Sequence, residues 1–219
     1  MADIRLTRKD RDKVAILSRL YSVAEEYKNN MVGNIFMYVF DNRFIEVNYQ
    51  SINFKHLTGV ASRLTPNQFY QNCINKTLSI NQIDFTPRHP YDLAVKKLTH
   101  LMNLYHAATC ESFMLEDVST SSGDYKFGTT ELSFSILLTE DKDNATGLKR
   151  SDYYVTKSLR HEDCFNKASN CHSITHIFVK RNDEEKYSKI LFCMKSANKA
   201  IPSEAFEKFS NSLKNEILK

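Results

Sequence analysis

Apolar residues recur at helical spacing through the first half of the chain and at alternate positions through the second. Val14, Leu17, Leu20, Tyr21 and Ala24 return every three or four residues with Arg, Lys and Glu between them. This predicts an amphipathic helix over residues 10–29 that packs on something. Residues 34–40 and 44–49 are compact apolar runs around Asp41-Asn42, a pair that suits a tight hairpin turn even without glycine. Phe54, Leu57 and Val60 seat one face of a short turn, which Gly59 can end in the left-handed conformation. Thr65-Pro66 starts a helix, with a hydroxyl cap and proline at the first helical position, where no donor is lost. Its buried stripe is Phe69, Tyr70, Cys73 and Ile74. Pro87 and Pro90 interrupt the chain before the clearest long helix, residues 91–108, faced by Leu93, Val95, Leu98, Leu101, Met102 and Tyr105.

From there the period becomes two. Residues 112–118 are predicted to form a strand and 119–124 a polar turn. Over 131–138, Leu132, Phe134, Ile136 and Leu138 alternate with Glu131, Ser133 and Ser135, the mark of a half-buried strand. Residues 141–150 read as a charged loop. Residues 153–159 read as a strand with Tyr154, Thr156, Ser158 and Arg160 on one face. A short helix is expected within 161–170, a last strand pair at 173–180 and 187–194, and a closing amphipathic helix over 203–218 with Glu204 at its positive end. Helices followed by strands predict an α+β fold. The N-terminal helices would pack on a twisted antiparallel meander of about four strands, joined by the N-terminal hairpin and a C-terminal helix.

Composition narrows the class. With 219 residues, 42% hydrophobic, 5 Gly and 4 Pro, the chain suits one globular domain without long linkers. That domain divides into an N-terminal helix at 1–30, a core at 31–195 and a C-terminal helix at 196–219. The formal charge of +4 permits a polyanionic partner without demanding one, and Lys149, Arg150, Lys157 and Arg160 cluster. No apolar run suggests a secretory signal or a membrane span. Five irregularly spaced cysteines point to reduced thiols in a cytoplasm.

Candidate chemistry is read by elimination and by grouping. Phosphate-cradling and dinucleotide glycine motifs are absent, so no cofactor is expected. Cys164, Cys171, His172 and His176 invite a zinc reading. On a strand, however, His172 and His176 stand about 13 Å apart, too far for one tetrahedral ion, and no metal is expected. His100 and His106 lack the four-residue spacing of a helical metal pair and read as surface or packing residues. A further chemistry to weigh is metal-free RNA cleavage. It needs a base, an acid and cations, while the RNA supplies its own nucleophile. His56, His161 and His176 can move protons. Lys55, Lys126, Lys157 and Arg160 can hold charge, and Thr130, Tyr154 and Ser158 can orient a phosphate. His176 alternates with Ile174 and Phe178, which favours packing and leaves His161 as the better second histidine.

Asn53-Phe54-Lys55-His56-Leu57-Thr58-Gly59-Val60, followed by 64–70 and Cys73-Ile74, resembles the opening signature of the phage-encoded barnase–EndoU–colicin–RelE-like nucleases. Phe127-Gly128-Thr129-Thr130, then 153–159 and 176–180, extend the resemblance in the right order over about residues 30–195. It implies a metal-independent endoribonuclease of phage or prophage origin, toxin-like and cytoplasmic in a bacterial host. Such an enzyme would leave a 2′,3′-cyclic phosphate on a target such as tRNA or ribosome-associated RNA. On that reading the catalytic set is His56, Arg160, His161, Lys157, Ser158 and Thr130, with Lys55, Tyr154, Lys126 and Thr156 binding substrate. Thr129-Thr130-Glu131 departs from the basic or amide-rich segment expected there, which leaves the cation donors open. The competing reading is a non-catalytic phage protein on the same scaffold that binds and blocks a host factor or holds a small ligand. A protein partner or inhibitor fits either reading, and the oligomeric state is open. Histidines and cations gathered in one cleft would favour the enzyme; scattered histidines and an exposed apolar patch would favour the binder.

Overall fold

The computed structural model describes residues 7–143, 145–195 and 201–218. Thr7 caps α1 (Arg8–Asn30) in a reciprocal box with Asp10. The hairpin of β1 (Asn34–Phe40) and β2 (Arg43–Asn48) turns on Asp41-Asn42, both left-handed at φ 46° and 55°. Next come α2 (Phe54–Thr58), β3 (Ala61–Ser62), α3 (Pro66–Ile74) and β4 (Ile83–Asp84). The expected long helix is broken at Asn103 into α4 (Tyr91–Met102) and α5 (Leu104–Ala107).

The second half carries β5 (Phe113–Thr120), β6 (Gly123–Thr130), β7 (Ser135–Lys142), β8 (Lys149–Arg160), β9 (Asn170–Arg181) and β10 (Lys189–Cys193). It closes with α6 (Ser203–Glu207) and α7 (Asn211–Ile217), two short helices in place of one. Phe209 lies between them, bridged to Tyr187, and Ser210 caps the second.

The expected four-strand antiparallel meander is wrong. The strands run in the order β1-β2-β8-β7-β6-β5-β9, and β9 pairs back onto β1, so seven of them close into a barrel with β10 added on β9. The sheet is mixed, because β2 meets β8 in parallel. Two things hid this from the sequence. Closure depends on contacts between residues 34–40 and 174–181, which no local period reports. One strand was also misplaced: β6 is built on 123–130 and β7 on 135–142, so 131–134, counted as strand, is the turn between them.

The N-terminal hairpin is therefore part of the barrel. Phe36, Tyr38 and Phe40 face the main core under α1–α5, while Ile35, Met37 and Val39 face a second core under α6 and α7. Burial on both faces explains the unbroken apolar run there. A third cluster of Leu115, Val118, Leu137 and Cys164 lies on the outer side, under Tyr125 and Phe165. Among the described residues no helix is long and apolar enough to cross a membrane.

Candidate functional site

The site grows from the short helix α2. Phe54 is fully buried against Tyr27, Phe69 and Tyr70, and Leu57 is buried beside it, so His56 is mounted firmly and left exposed. Gly59 ends the helix at φ 70°. A Cβ at Gly59 would come within 2.8 Å of Lys97 Cδ, so the glycine lets the lysine of α4 lie across the turn. The Gly59 carbonyl also meets His89 Nδ1 at 3.2 Å.

From α4, Lys97 and His100 share a face one turn apart. His100 Nε2 and His161 Nδ1 are 2.6 Å apart, and His100 also stacks on Phe134. One imidazole must donate and the other accept, so a single proton lies between them. The end of β8 completes the arrangement. Its register against β7 passes from Leu138↔Thr156 to Leu137↔Ser158, which makes Lys157 the extra residue of a bulge and leaves it exposed. Past the bulge, the Arg160 Nη2 donates to Thr120 Oγ1 at 3.1 Å and to Ser122 Oγ, and its buried Nε finds no acceptor among the described residues.

The electrostatics are lopsided. Lys97, Lys157 and Arg160 have no carboxylate partner among the described residues. Burial, then the nearby Arg160 charge, holds the Lys97 ammonium down to about 8. Desolvation, followed by Lys157, Lys55 and His89, pushes His56 below the ordinary histidine range. His100 is also lowered, by desolvation and then by His161, with Glu131 opposing. Neutral imidazoles beside fixed cations can accept a proton next to a group that binds an anion.

Of the residues expected from sequence, His56 has Lys157 as a neighbour, His161 meets His100, and Ser158 and Arg160 follow the bulge on β8. The shared face of Tyr154, Thr156, Ser158 and Arg160 does not exist, because the bulge divides it. Thr156 is buried on the main-core side and its hydroxyl faces Asn53 Nδ2 at 3.4 Å. Tyr154 packs edge-on against Phe127 and interacts with Lys126, Lys142 and Lys149. Lys126 is paired with Asp117 at 2.7 Å. Lys55 donates to the carbonyls of Ser62 and Leu64 at 2.8 and 2.6 Å, tying down the chain after α2. Thr130 is buried, and its hydroxyl donates to the Phe134 carbonyl at 2.7 Å within the β6–β7 turn. His176 is buried and stacked with Phe178.

Sequence reasoning missed Lys97, His100 and His89. Lys97 and His100 stand three residues apart beside the apolar stripe of α4, a position that reads as an ordinary helix flank. His100 was set aside only because its spacing from His106 does not suit a metal. His89 carried no signal, since it reaches Gly59 through the Thr86–His89 turn.

No curated protein and no solved structure gives a significant match to the chain. A family model described as phage-Barnase-EndoU-ColicinE5/D-RelE like nuclease 4 matches residues 19–194.

Proposed function

The chain belongs to this family of nuclease-like proteins, and from that premise we propose that it is a metal-independent endoribonuclease of a bacterial host's cytoplasm. It cleaves by 2′-hydroxyl attack and leaves a 2′,3′-cyclic phosphate. One observation carries the reading: His56 has Lys157 and His89 as neighbours, Lys97 has Arg160 and His100 meets His161, and Lys97, Lys157 and Arg160 have no carboxylate partner among the described residues. Three such cations repel a divalent ion and attract a phosphodiester.

In this mechanism His56, neutral at pH 7, takes the 2′-hydroxyl proton. Lys97, Lys157 and Arg160 stabilise the charge that develops on the phosphorane oxygens. When the His100–His161 pair carries one added proton, that imidazolium protonates the departing 5′-oxygen and leaves two neutral rings hydrogen-bonded to each other. Ser158 lies on the Arg160 side of the bulge and orients the phosphate. Thr130, Thr156 and Lys55 hold the scaffold, their polar atoms being engaged internally.

Total bacterial RNA incubated with the protein in excess EDTA tests this. Cleavage with cyclic-phosphate ends, lost in His56→Ala and Arg160→Ala, supports it. Intact RNA with wild type and variants alike overturns it and favours the non-catalytic binder. Cleavage abolished by EDTA and restored by zinc overturns the metal-free step.

A further inference from the structure

A recess of about 130 Å³ adjoins the cationic edge. It shares Lys157 with that edge, and Asn53, at the head of the helix that carries His56, forms part of its wall. Its other walls come from the β2–α2 connection and the facing ends of β7 and β8. Two features make it more than a surface dent.

The first is Asp141, a carboxylate only 7% exposed that has no ion pair among the described residues. The Ser151 hydroxyl and the Gln50 amide donate to its Oδ2, at 2.9 and 3.3 Å. Its Oδ1 receives no hydrogen bond from the described residues. That oxygen keeps contact with solvent, so an N–H donor on a ligand in the recess can take the place of water there. The second is the apolar contribution to the recess: Ile52, 40% exposed, and Val155, nearly buried. A planar group could lie against these side chains while its edge meets Asp141.

Resting on the nuclease reading above, we infer that this recess is a nucleobase subsite that selects a base carrying an exocyclic amino group. A carboxylate is acceptor-only. It takes the amino proton of cytosine, adenine or guanine as it would any N–H donor. Uracil presents a carbonyl oxygen at the position of cytosine's amino group, which sets acceptor against acceptor. The shared Lys157 then grips the adjoining phosphate, so that base selection and cleavage occur on one strand. Lys142 and Arg150 at the same recess are already paired, with Glu140 and Asp143, and leave Asp141 as its free recognition group.

The test is built to stand apart from catalysis. Fluorescein-labelled 2′-deoxy tetranucleotides cannot undergo 2′-hydroxyl attack, so anisotropy with dC-, dA- and dU-centred probes reads the subsite even if the protein cleaves nothing. The expected result is binding about tenfold tighter for dC and dA than for dU, consistent with one hydrogen bond to a charged group. Asp141→Asn should abolish the discrimination by letting the new amide donate to uracil. Ile52→Ala, at an exposed position that leaves folding intact, should weaken all probes alike. Equal affinity of the wild type for dC and dU overturns the inference. So does discrimination that persists in a folded Asp141→Asn protein. If the RNA assay fails while dC is still preferred to dU, the nuclease reading falls and the base subsite stands.

Discussion

Two arginines show what the molecule does with positive charge. Arg43, at the start of β2, donates to both oxygens of Glu116 at 2.8 and 3.0 Å and to Asp41 at 3.2 Å, and lies over the Phe40 ring. His172 closes the group, 3.0 Å from Glu116. Arg160, at the end of β8, donates to the hydroxyls of Thr120 and Ser122, stands near Lys97, and has no carboxylate partner among the described residues. Both clusters contain histidine and arginine. In the first, the protein supplies the counter-charge, so the group is complete and works as a clamp across β2, β5 and β9. In the second, no carboxylate among the described residues supplies the counter-charge, which leaves the place open to a bound anion. Residue type alone does not separate the two clusters; the presence of a carboxylate in the first does.

The largest expected effect that could break this comparison is at His56. His56→Ala should lower RNA cleavage by about 10²–10⁴-fold, the usual span for a general base, and leave the thermal midpoint unmoved because the ring is exposed. Kinetics paired with melting curves check both halves. A variant that melts early, or that cleaves normally, removes His56 from the chemistry.

Glu116→Gln should show the reverse. The carboxylate is 6% exposed and held below its usual range, chiefly by its hydrogen bond to Arg43. The amide keeps one acceptor oxygen but no charge, and its NH2 faces the Arg43 and His172 donors, so the change should cost about 2 kcal/mol of stability at pH 7 with cleavage retained. A carboxylate lowered on folding stabilises above its unfolded pKa, and that contribution is lost as pH falls through the folded value. The deficit of the variant, measured by urea unfolding, should therefore shrink on acidification below about pH 4. A deficit that is constant with pH would mean that packing, not charge, holds this cluster.

These contrasts also mark where the sequence could be read and where it could not. Local signals were reliable. Asp41-Asn42, Gly59 and Thr65-Pro66 each do what their chemistry dictates, because caps and turns are settled within a few residues. The α2 histidine and the basic end of β8 were recognisable for the same reason. Barrel closure was not, since it depends on pairing about 140 residues apart in the chain. The site failed where geometry turned on a single inserted residue. Counting by twos placed Thr156 and Arg160 on one face, and the bulge at Lys157 put one in the core and the other at the edge. Lys97 was passed over because a lysine beside an apolar stripe reads as a solvated helix flank. Only the neighbouring glycine and Arg160 make it unusual.

Lys97 gives the finest test, because one residue would serve the site at the expense of the fold. Its folded pKa, about 8, lies below the unfolded value of 10.5, so the unfolded chain holds this proton more tightly. Lysine then opposes folding fully below pH 8, and the opposition fades as pH rises from 8 to 10.5. Lys97→Met keeps the stem against Gly59 and removes the charge, so it should raise stability by about 1 kcal/mol at pH 7 and by nothing near the top of that window. The same variant should cleave about tenfold or more slowly, while Lys97→Arg, which stays charged, should move the alkaline fall of kcat/KM upward from its position near pH 8. Urea unfolding at the two ends of the window and a pH–rate profile read the two effects separately. Stabilisation that does not depend on pH would assign the gain to side-chain packing. An alkaline limb unmoved by arginine would take Lys97 out of the group that meets the phosphate, leaving Lys157 and Arg160 to hold it.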